Sequence, residues 1–381
     1  MIDVRRRRTP LDETLGPGPP PLLAVAIPAL AALAVSVLIL VQRSNVPITG
    51  DGARVLADRY PLTIDLLFIP LHFQLNALPI LIWAFLDGPA PKLALLLALH
   101  VAVVTVTSAL LVSRIGPGPG FAFALPLAVL GTASYDLISP WQIVFLLPLL
   151  FVIVATWLSV RRDERTLLRR SIVAACLILA VLSSNLGIVA LFALGLWFVL
   201  ERRWWQISEL VPGAAVAAAW LLLYGPKRQL HIAYPSRFTI ATPDVVPVYI
   251  GSGLSHGVGA WFGLAGRSAT AAGLVVILAF VGYVVVRGVK VPPAFFAYFT
   301  ATFAMFAALS LIRSQADPRQ GASARYVYLV LFMLAAGLGA AGWRLPESRW
   351  SVLATRMLVV VGVVAALLNL RLLLYAAGAP P

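Results

Sequence analysis

The stretch PLLAVAIPALAALAVSVLILV, residues 21–41, follows Arg5-Arg6-Arg7-Arg8 and contains no charged side chain. About twenty such residues at about 1.5 Å each are enough to cross the hydrocarbon core of a bilayer. Comparable runs recur to the C-terminus. A chain of this kind must place each ionisable group at an interface, in a cavity or beside a partner, so its polar minority carries the information about function. The first run is longer than the h-region of a signal peptide, which spans about 7–15 residues. No small-residue cleavage pattern follows it before Gln42-Arg43, and the expectation is a retained span.

Composition agrees with this reading. Of the 381 residues 61% are hydrophobic and 12% charged, and the mean hydropathy is +0.93; a soluble domain carries roughly 25% charged residues. The net charge of +14 and pI near 10.7 would suggest nucleic acid in a soluble protein. Here basic cytoplasmic loops explain them, and no nucleic-acid partner is expected. Cys176 is the only cysteine and lies within an apolar run. It is read as packing, which leaves no intramolecular disulfide and no cysteine metal site.

The fold class expected is all-α: one integral membrane domain, residues 1–381, with about eleven spans. They fall near 22–42, 93–113, 119–135, 141–160, 171–184, 186–200, 208–224, 269–286, 292–312, 326–343 and 353–375. The pair 171–184 and 186–200 is separated only by Ser183-Ser184-Asn185 and reads as a tight helical hairpin, with Asn185 at the external surface.

Orientation follows from the loops. Arg161, Arg162, Arg165, Arg169 and Arg170, then Arg202 and Arg203, Arg287 with Lys290, and Arg344 with Arg349 fall on the side of the basic N-terminus, residues 1–21. That distribution places the N-terminus in the cytoplasm and the C-terminus outside, in a bacterial plasma membrane. The stretch 62–86 is apolar but broken by Asp65, Pro70, His72, Gln74, Asn76 and Pro79. Counting it as a crossing would reverse every later loop, so it is read as interfacial or re-entrant, with a short helix over 77–86. The external side then holds a first loop, 43–91, and a second large loop, 225–268.

Several residues on that side could carry chemistry. Asp51, between Gly50 and Gly52, precedes Arg54, Asp58 and Arg59. A carboxylate there could accept a proton from a hydroxyl nucleophile while the arginines hold a phosphate. The competing reading makes Asp51 a turn residue or helix cap and pairs Arg54 with Asp58 on a helix surface. His72 and Gln74 bring an imidazole and an amide to the membrane surface, and His72 alone is first read as an interfacial hydrogen-bonding group. It has no cysteine or second histidine nearby, so no metal site is assigned; whether a divalent metal assists stays open.

Asp136, followed by Pro140-Trp141-Gln142, lies at interface depth, where a carboxylate needs a partner. It serves equally as a helix-end cap beside a tryptophan anchor. Arg313, Arg319 and Arg325, with Tyr326 next, crowd a short segment whose one acid is Asp317. Guanidinium pairs well with phosphate, which suits an anionic lipid head group; snorkelling arginines with a tyrosine belt account for the same pattern. His100, within the second span, is read as hydrogen-bonded to a neighbouring helix rather than as a proton relay. The P-loop, the dinucleotide fingerprint, G-x-S-x-G and HExxH are absent from the sequence, and no cofactor is expected from motifs.

Taken in order, Asp51, His72-Phe73-Gln74 with Leu78-Pro79, Tyr135-Asp136-Leu137 with Pro140-Trp141-Gln142-Ile143, Leu182-Ser183-Ser184-Asn185-Leu186-Gly187 and Ala324-Arg325-Tyr326-Val327-Tyr328 resemble a group of bacterial polytopic membrane proteins similar in layout to the C-type (GT-C) glycosyltransferases. The resemblance implies a helical bundle with an external site, where a sugar passes from a polyprenyl-phosphate carrier to an envelope glycan, lipid or protein. It implies Asp51 as base or acceptor-orienting group, with Asp58 second, and Arg325 against the carrier phosphate. It further associates Arg54, Arg59, His72, Gln74, Asp136, Gln142, Arg313 and Tyr326 with substrate. Many GT-C enzymes have a paired acidic motif, whereas Asp51 and Asp58 here stand apart. A transporter or flippase of lipid-linked or anionic substrates would use the same arginines along a route, and a non-catalytic scaffold would leave the carboxylates dispensable.

Overall fold

The computed structural model describes residues 22–43, 63, 67–68, 75–160, 166–224, 245–313, 323–343 and 349–378. They are helical almost throughout, with no strand among them. The helices are α1 (Leu22–Arg43), α2 (Ala77–Ala84), α3 (Pro89–Ile115), α4 (Pro117–Ala128), α5 (Ser134–Ile138), α6 (Ile143–Val160), α7 (Leu167–Ser183), α8 (Leu186–Leu200) and α9 (Trp204–Leu223). They continue with α10 (Val245–Ala260), α11 (Gly266–Arg287), α12 (Pro293–Arg313), α13 (Ala324–Ala341) and α14 (Arg349–Gly378), and 3-10 turns at Gly131–Ala133 and Pro140–Gln142 flank α5.

Seven helices among the described residues, α1, α3, α6, α9, α11, α12 and α14, are long and apolar enough to cross a membrane. Each of the eleven stretches expected to cross carries a helix. The expected third stretch, 119–135, is divided, because α4 ends at Ala128 and its polypeptide then turns through Gly131–Ala133. The short helix expected over 77–86 covers Ala77–Ala84. Within the stretch expected as the second large loop, Val245–Ala260 forms α10, buried against α11, α12 and α13. Its sequence, VVPVYIGSGLSHGVGA, lacks a long apolar run, and its glycines mark close packing.

Helices in lipid gain little from hydrophobic burial against one another and associate through close van der Waals contact, which favours small residues where backbones meet. The α10–α11 hairpin is built this way. Gly259 faces the Ala269 carbonyl and Gly273 faces the Ser255 carbonyl, so closely that a Cβ at either position would overlap the opposing backbone. The outer side of α11 is apolar and open, with Val286 83% exposed, as expected of a helix that lipid covers. The enclosed core includes α3, α6 and α13, where Val103, Leu110, Leu146, Val152, Val330 and Phe332 are fully buried.

Two ends of the bundle can be told apart by contacts. At one, Gly342 packs on the Arg114 guanidinium and Gly118 on the Thr355 side chain, bringing together the last turn of α3, the end of α13, and the starts of α4 and α14. At the other, Arg43 at the end of α1 donates to the Ala377 and Ala376 carbonyls at 3.0 and 2.9 Å, closing the C-terminus of α14. Positive charge there complements the helix dipole. The irregular backbone around α5 belongs to this Arg43 end.

Candidate functional site

The Arg43 end gathers short elements that are far apart in sequence. Where α4 stops, the backbone leaves helix geometry inside the bundle, and its polar groups must find partners. Asn369, in the middle of α14 and fully buried, supplies them. Its Oδ1 accepts from the Thr132 backbone N–H at 3.3 Å and from the Thr132 hydroxyl at 3.3 Å. Its Nδ2 donates to the Ala260 and Trp261 carbonyls at 3.3 and 3.2 Å, and to Ala365 at 3.1 Å. One carboxamide thus ties α14, the end of α10 and the turn before α5. Gly131 lies directly on the α14 backbone beside it, where no Cβ would fit.

His100 holds the other side of that turn. Its Nε2 lies 3.0 Å from the Ala128 carbonyl oxygen and its Nδ1 2.7 Å from the Tyr328 hydroxyl. A carbonyl only accepts, so Nε2 carries the proton and Nδ1 accepts from Tyr328. The helix-to-helix role expected of His100 is the one observed.

These two hooks position α5, the five-residue helix Ser134–Ile138 that carries Tyr135 and Asp136. It packs against α3, α13 and α14. The backbone of Asp136 therefore lies beside the helix that begins Ala324-Arg325-Tyr326. The antiparallel neighbours α12 and α13 bring the end bearing Arg313 next to that start. Tyr326 itself points inward: it is buried, with its ring edge-on to Phe306 at 5.8 Å. It is part of the core at this end rather than of an exposed tyrosine belt.

Ahead of α2, the first loop is held at Phe68 and at Leu75 among the described residues. The Trp220 indole N–H donates to the Phe68 carbonyl at 2.9 Å, while the Phe68 ring stacks on Tyr224 at 5.6 Å. Further on, Asn185 Oδ1, in the turn between α7 and α8, accepts from the Leu75 N–H at 3.4 Å. Asn185 sits at a helix turn, as expected, and its visible task is to receive the segment that leads into α2. Asp51, Arg54, Asp58, Arg59, His72 and Gln74 lie outside the described residues.

From α2, Trp83 reaches the turn after α5, where its ring meets Trp141 edge-to-face at 5.4 Å. The Lys92 ammonium sits 4.8 Å from the centre of the Trp83 ring. Gln142, expected among the substrate-binding residues, is buried in the 3-10 turn, and its Oε1 has no hydrogen-bond partner among the described residues. The same holds for the buried Trp83 Nε1. Among the described residues no cluster of three or more His, Cys, Asp or Glu is placed to hold a metal ion.

Other ionisable groups lie at the opposite end. Arg203 donates to the Ser159 carbonyl at 2.8 Å, pairs with Glu201 at 2.6 Å and covers the Trp197 ring. Glu209 lies buried 3.8 Å from Arg170. Asn369, Trp83 and Lys92 were not singled out by sequence reasoning. Asn369 could have been, since an amide flanked by Leu368 and Leu370 in an apolar helix is conspicuous. Comparison of the chain with known proteins finds no matching family model, curated protein or solved structure.

Proposed function

We propose that this multi-pass membrane protein is a GT-C-like glycosyltransferase, taking a sugar from a polyprenyl-phosphate carrier and giving it to an envelope glycan, lipid or protein. The observation that carries the reading is the packing of α5, bearing Asp136, against α13, the helix that begins Ala324-Arg325, at the end of the bundle where Leu75 docks on Asn185. Stretches spread from Leu75 to Tyr328 thereby meet at one end. In the proposal about eleven segments cross the plasma membrane, the N-terminus is cytoplasmic, and the Arg43 end faces outside, as the basic loops favour.

The chemistry suits that setting. Asp51 accepts the proton of the acceptor hydroxyl as its oxygen bonds to the sugar's anomeric carbon. The bond from that carbon to the carrier phosphate breaks, and polyprenyl phosphate leaves with the electron pair. Arginines stabilise the negative charge that develops on the leaving phosphate. Arg325 and Arg313 hold it from the α12–α13 side, and Arg54 and Arg59 from the first loop.

The test is transfer of labelled sugar from polyprenyl-phosphate sugar to endogenous acceptors in proteoliposomes. Asp51→Asn is expected to abolish product while carrier binding persists; undiminished product formation by this variant refutes the assignment. Movement of labelled lipid between leaflets without glycosidic product assigns the protein to the flippases instead. Wild-type activity that survives loss of both Asp51 and Asp58 leaves those carboxylates without a catalytic role.

A further inference from the structure

At the Arg203 end, α7 and α9 start side by side and run in the same direction: Arg170 meets Ser208 there, and Leu177 meets Gly213 further along. The Arg170 guanidinium reaches across the groove between the two helices. Its Nη2 donates to the Ser208 hydroxyl at 2.9 Å, and that hydroxyl donates in turn to the Trp205 carbonyl at 2.8 Å. Its Nε lies 3.8 Å from a Glu209 carboxylate oxygen. An arginine that only snorkels extends its head towards water. This one is turned in and held against a second helix, yet its side chain stays 42% exposed.

The surface around it is open and apolar. Trp204, Ser208 and Val211 stand at i, i+4 and i+7 on one face of α9, with Trp204 62% and Val211 58% exposed. On α7, Leu167, one turn before Arg170, is 77% exposed, and Ile172 beyond it is exposed as well. A half-exposed cation with apolar surface before and after it stands where hydrocarbon gives way to head groups, and the Trp204 indole suits that depth. The charge there is positive. Glu209 bears on Arg169 as well as on Arg170, so one carboxylate is divided between two guanidiniums. Arg202, exposed in the turn just before Trp204, adds a further cation. A free phosphate would meet Arg170 but leave Val211 and Ile172 bare. A phospholipid covers both, with its phosphate on the guanidinium and its acyl chains along the helices.

We propose that the groove between the starts of α7 and α9 binds the phosphate of one anionic phospholipid, with Arg170 as its main ligand and Trp204 beside the head group. The site lies at the end of the bundle away from α5 and is independent of the transferase reading. Full-length protein, delipidated in detergent, is titrated with phosphatidylglycerol, phosphatidylcholine and glycerol phosphate, and bound molecules are counted by native mass spectrometry. Phosphatidylglycerol should fill one place about fivefold more tightly than phosphatidylcholine, the contribution of about one cation at a membrane surface. Arg170→Gln should remove that margin. Glu209→Gln keeps the volume but removes the carboxylate that competes for Arg170, so it should widen the margin. Trp204→Ala, at an exposed position, should weaken both lipids without lowering the melting temperature.

Arg287→Gln, at an exposed arginine where α11 ends, is the control and should leave the margin unchanged. A margin that Arg170→Gln does not touch, or that Arg287→Gln lowers as much, reflects a diffuse field and overturns the site. Glycerol phosphate that competes as well as the lipid does assigns the place to a free phosphate and overturns the lipid. If Arg170→Gln does not fold, the other two variants decide: a margin unmoved by Glu209→Gln together with lipid binding unmoved by Trp204→Ala overturns the proposal.

Discussion

Replacing Asn369 with leucine should destabilise the bundle more than any other single polar substitution within α14. The side chain is fully buried and serves three chain segments at once. Leucine fills a similar volume, so the loss falls on hydrogen bonds rather than on packing. Two bonds reach Thr132 and two reach the Ala260 and Trp261 carbonyls, all between 3.2 and 3.3 Å. Such bonds between membrane helices contribute about 0.6 kcal/mol each on average. An unpaired buried N–H costs about 1–3 kcal/mol, and the Thr132 N–H has no alternative in the leucine variant. The Thr132 penalty belongs to a bond already counted, so it is not added again, and the four bonds at the average together give about 2–3 kcal/mol. Reversible unfolding in mixed micelles with increasing SDS would read this as a roughly 30- to 150-fold change in the unfolding constant. Asn369→Asp gives a second reading. Its retained oxygen still accepts from Thr132, but an ionised carboxylate faces two carbonyls, so it should be at least as harmful as leucine at neutral pH and should improve as the carboxyl protonates. A leucine variant within about 0.5 kcal/mol of wild type, below the value of a single such bond, would show that the amide is incidental to the turn.

Other substitutions probe separate joints. Tyr328→Phe removes the donor to His100 Nδ1 and should lower stability by about 1 kcal/mol in the same micelle assay; combined with His100→Phe the two losses should be less than additive, and strict additivity would deny their bond. Gly273→Leu pushes a side chain into the Ser255 carbonyl, so the α10–α11 hairpin cannot close, and the purified variant should lose its cooperative unfolding transition altogether. Trp220→Phe keeps an aromatic ring but frees the Phe68 carbonyl; hydrogen exchange at residues 67–68 should rise several-fold while α9 stays protected, and unchanged exchange there would mean that the loop is held by other contacts.

The helical segments were readable from sequence because bilayer thickness imposes a length and a composition that few other constraints mimic. Residues 22–42, 93–113 and 353–375 announce α1, α3 and α14 through uninterrupted apolar runs. Where the chain departs from that simple rule, the sequence speaks less clearly. The break after Ala128 is hidden because Val129-Leu130 remains apolar, and what ends the helix is the lock of Thr132 onto an asparagine more than two hundred residues away. Helix α10 is hidden for the opposite reason. Its glycines and serines lower its hydropathy, yet they are what lets it lie against α11, α12 and α13. Of the candidate site, Asp136, Gln142 and Tyr326 were visible as polar or aromatic interruptions, but the inward turn of Tyr326 depends on its contact with Phe306, which spacing alone does not reveal.

Within the bundle, polar residues divide by what their partners are. Asn369, His100, Thr132 and Asn185 each satisfy main-chain groups exposed where helices stop, and a fold with irregular backbone at that depth requires them whatever its activity. Their presence therefore argues for a precise turn and says little about chemistry. The informative groups are those that no backbone needs. Trp83 Nε1 and Gln142 Oε1 are buried without a hydrogen-bond partner among the described residues, and Trp141, which Trp83 meets edge-to-face, lies in the turn after α5. Maintaining two unpaired polar atoms destabilises the folded protein, and apolar residues of similar size would remove that penalty. Trp197 Nε1, beneath Arg203 at the opposite end, lacks a hydrogen-bond partner among the described residues in the same way, so such atoms do not by themselves choose between the two ends; the choice rests on α5, which sets the backbone of Asp136 against α13 at the Arg43 end.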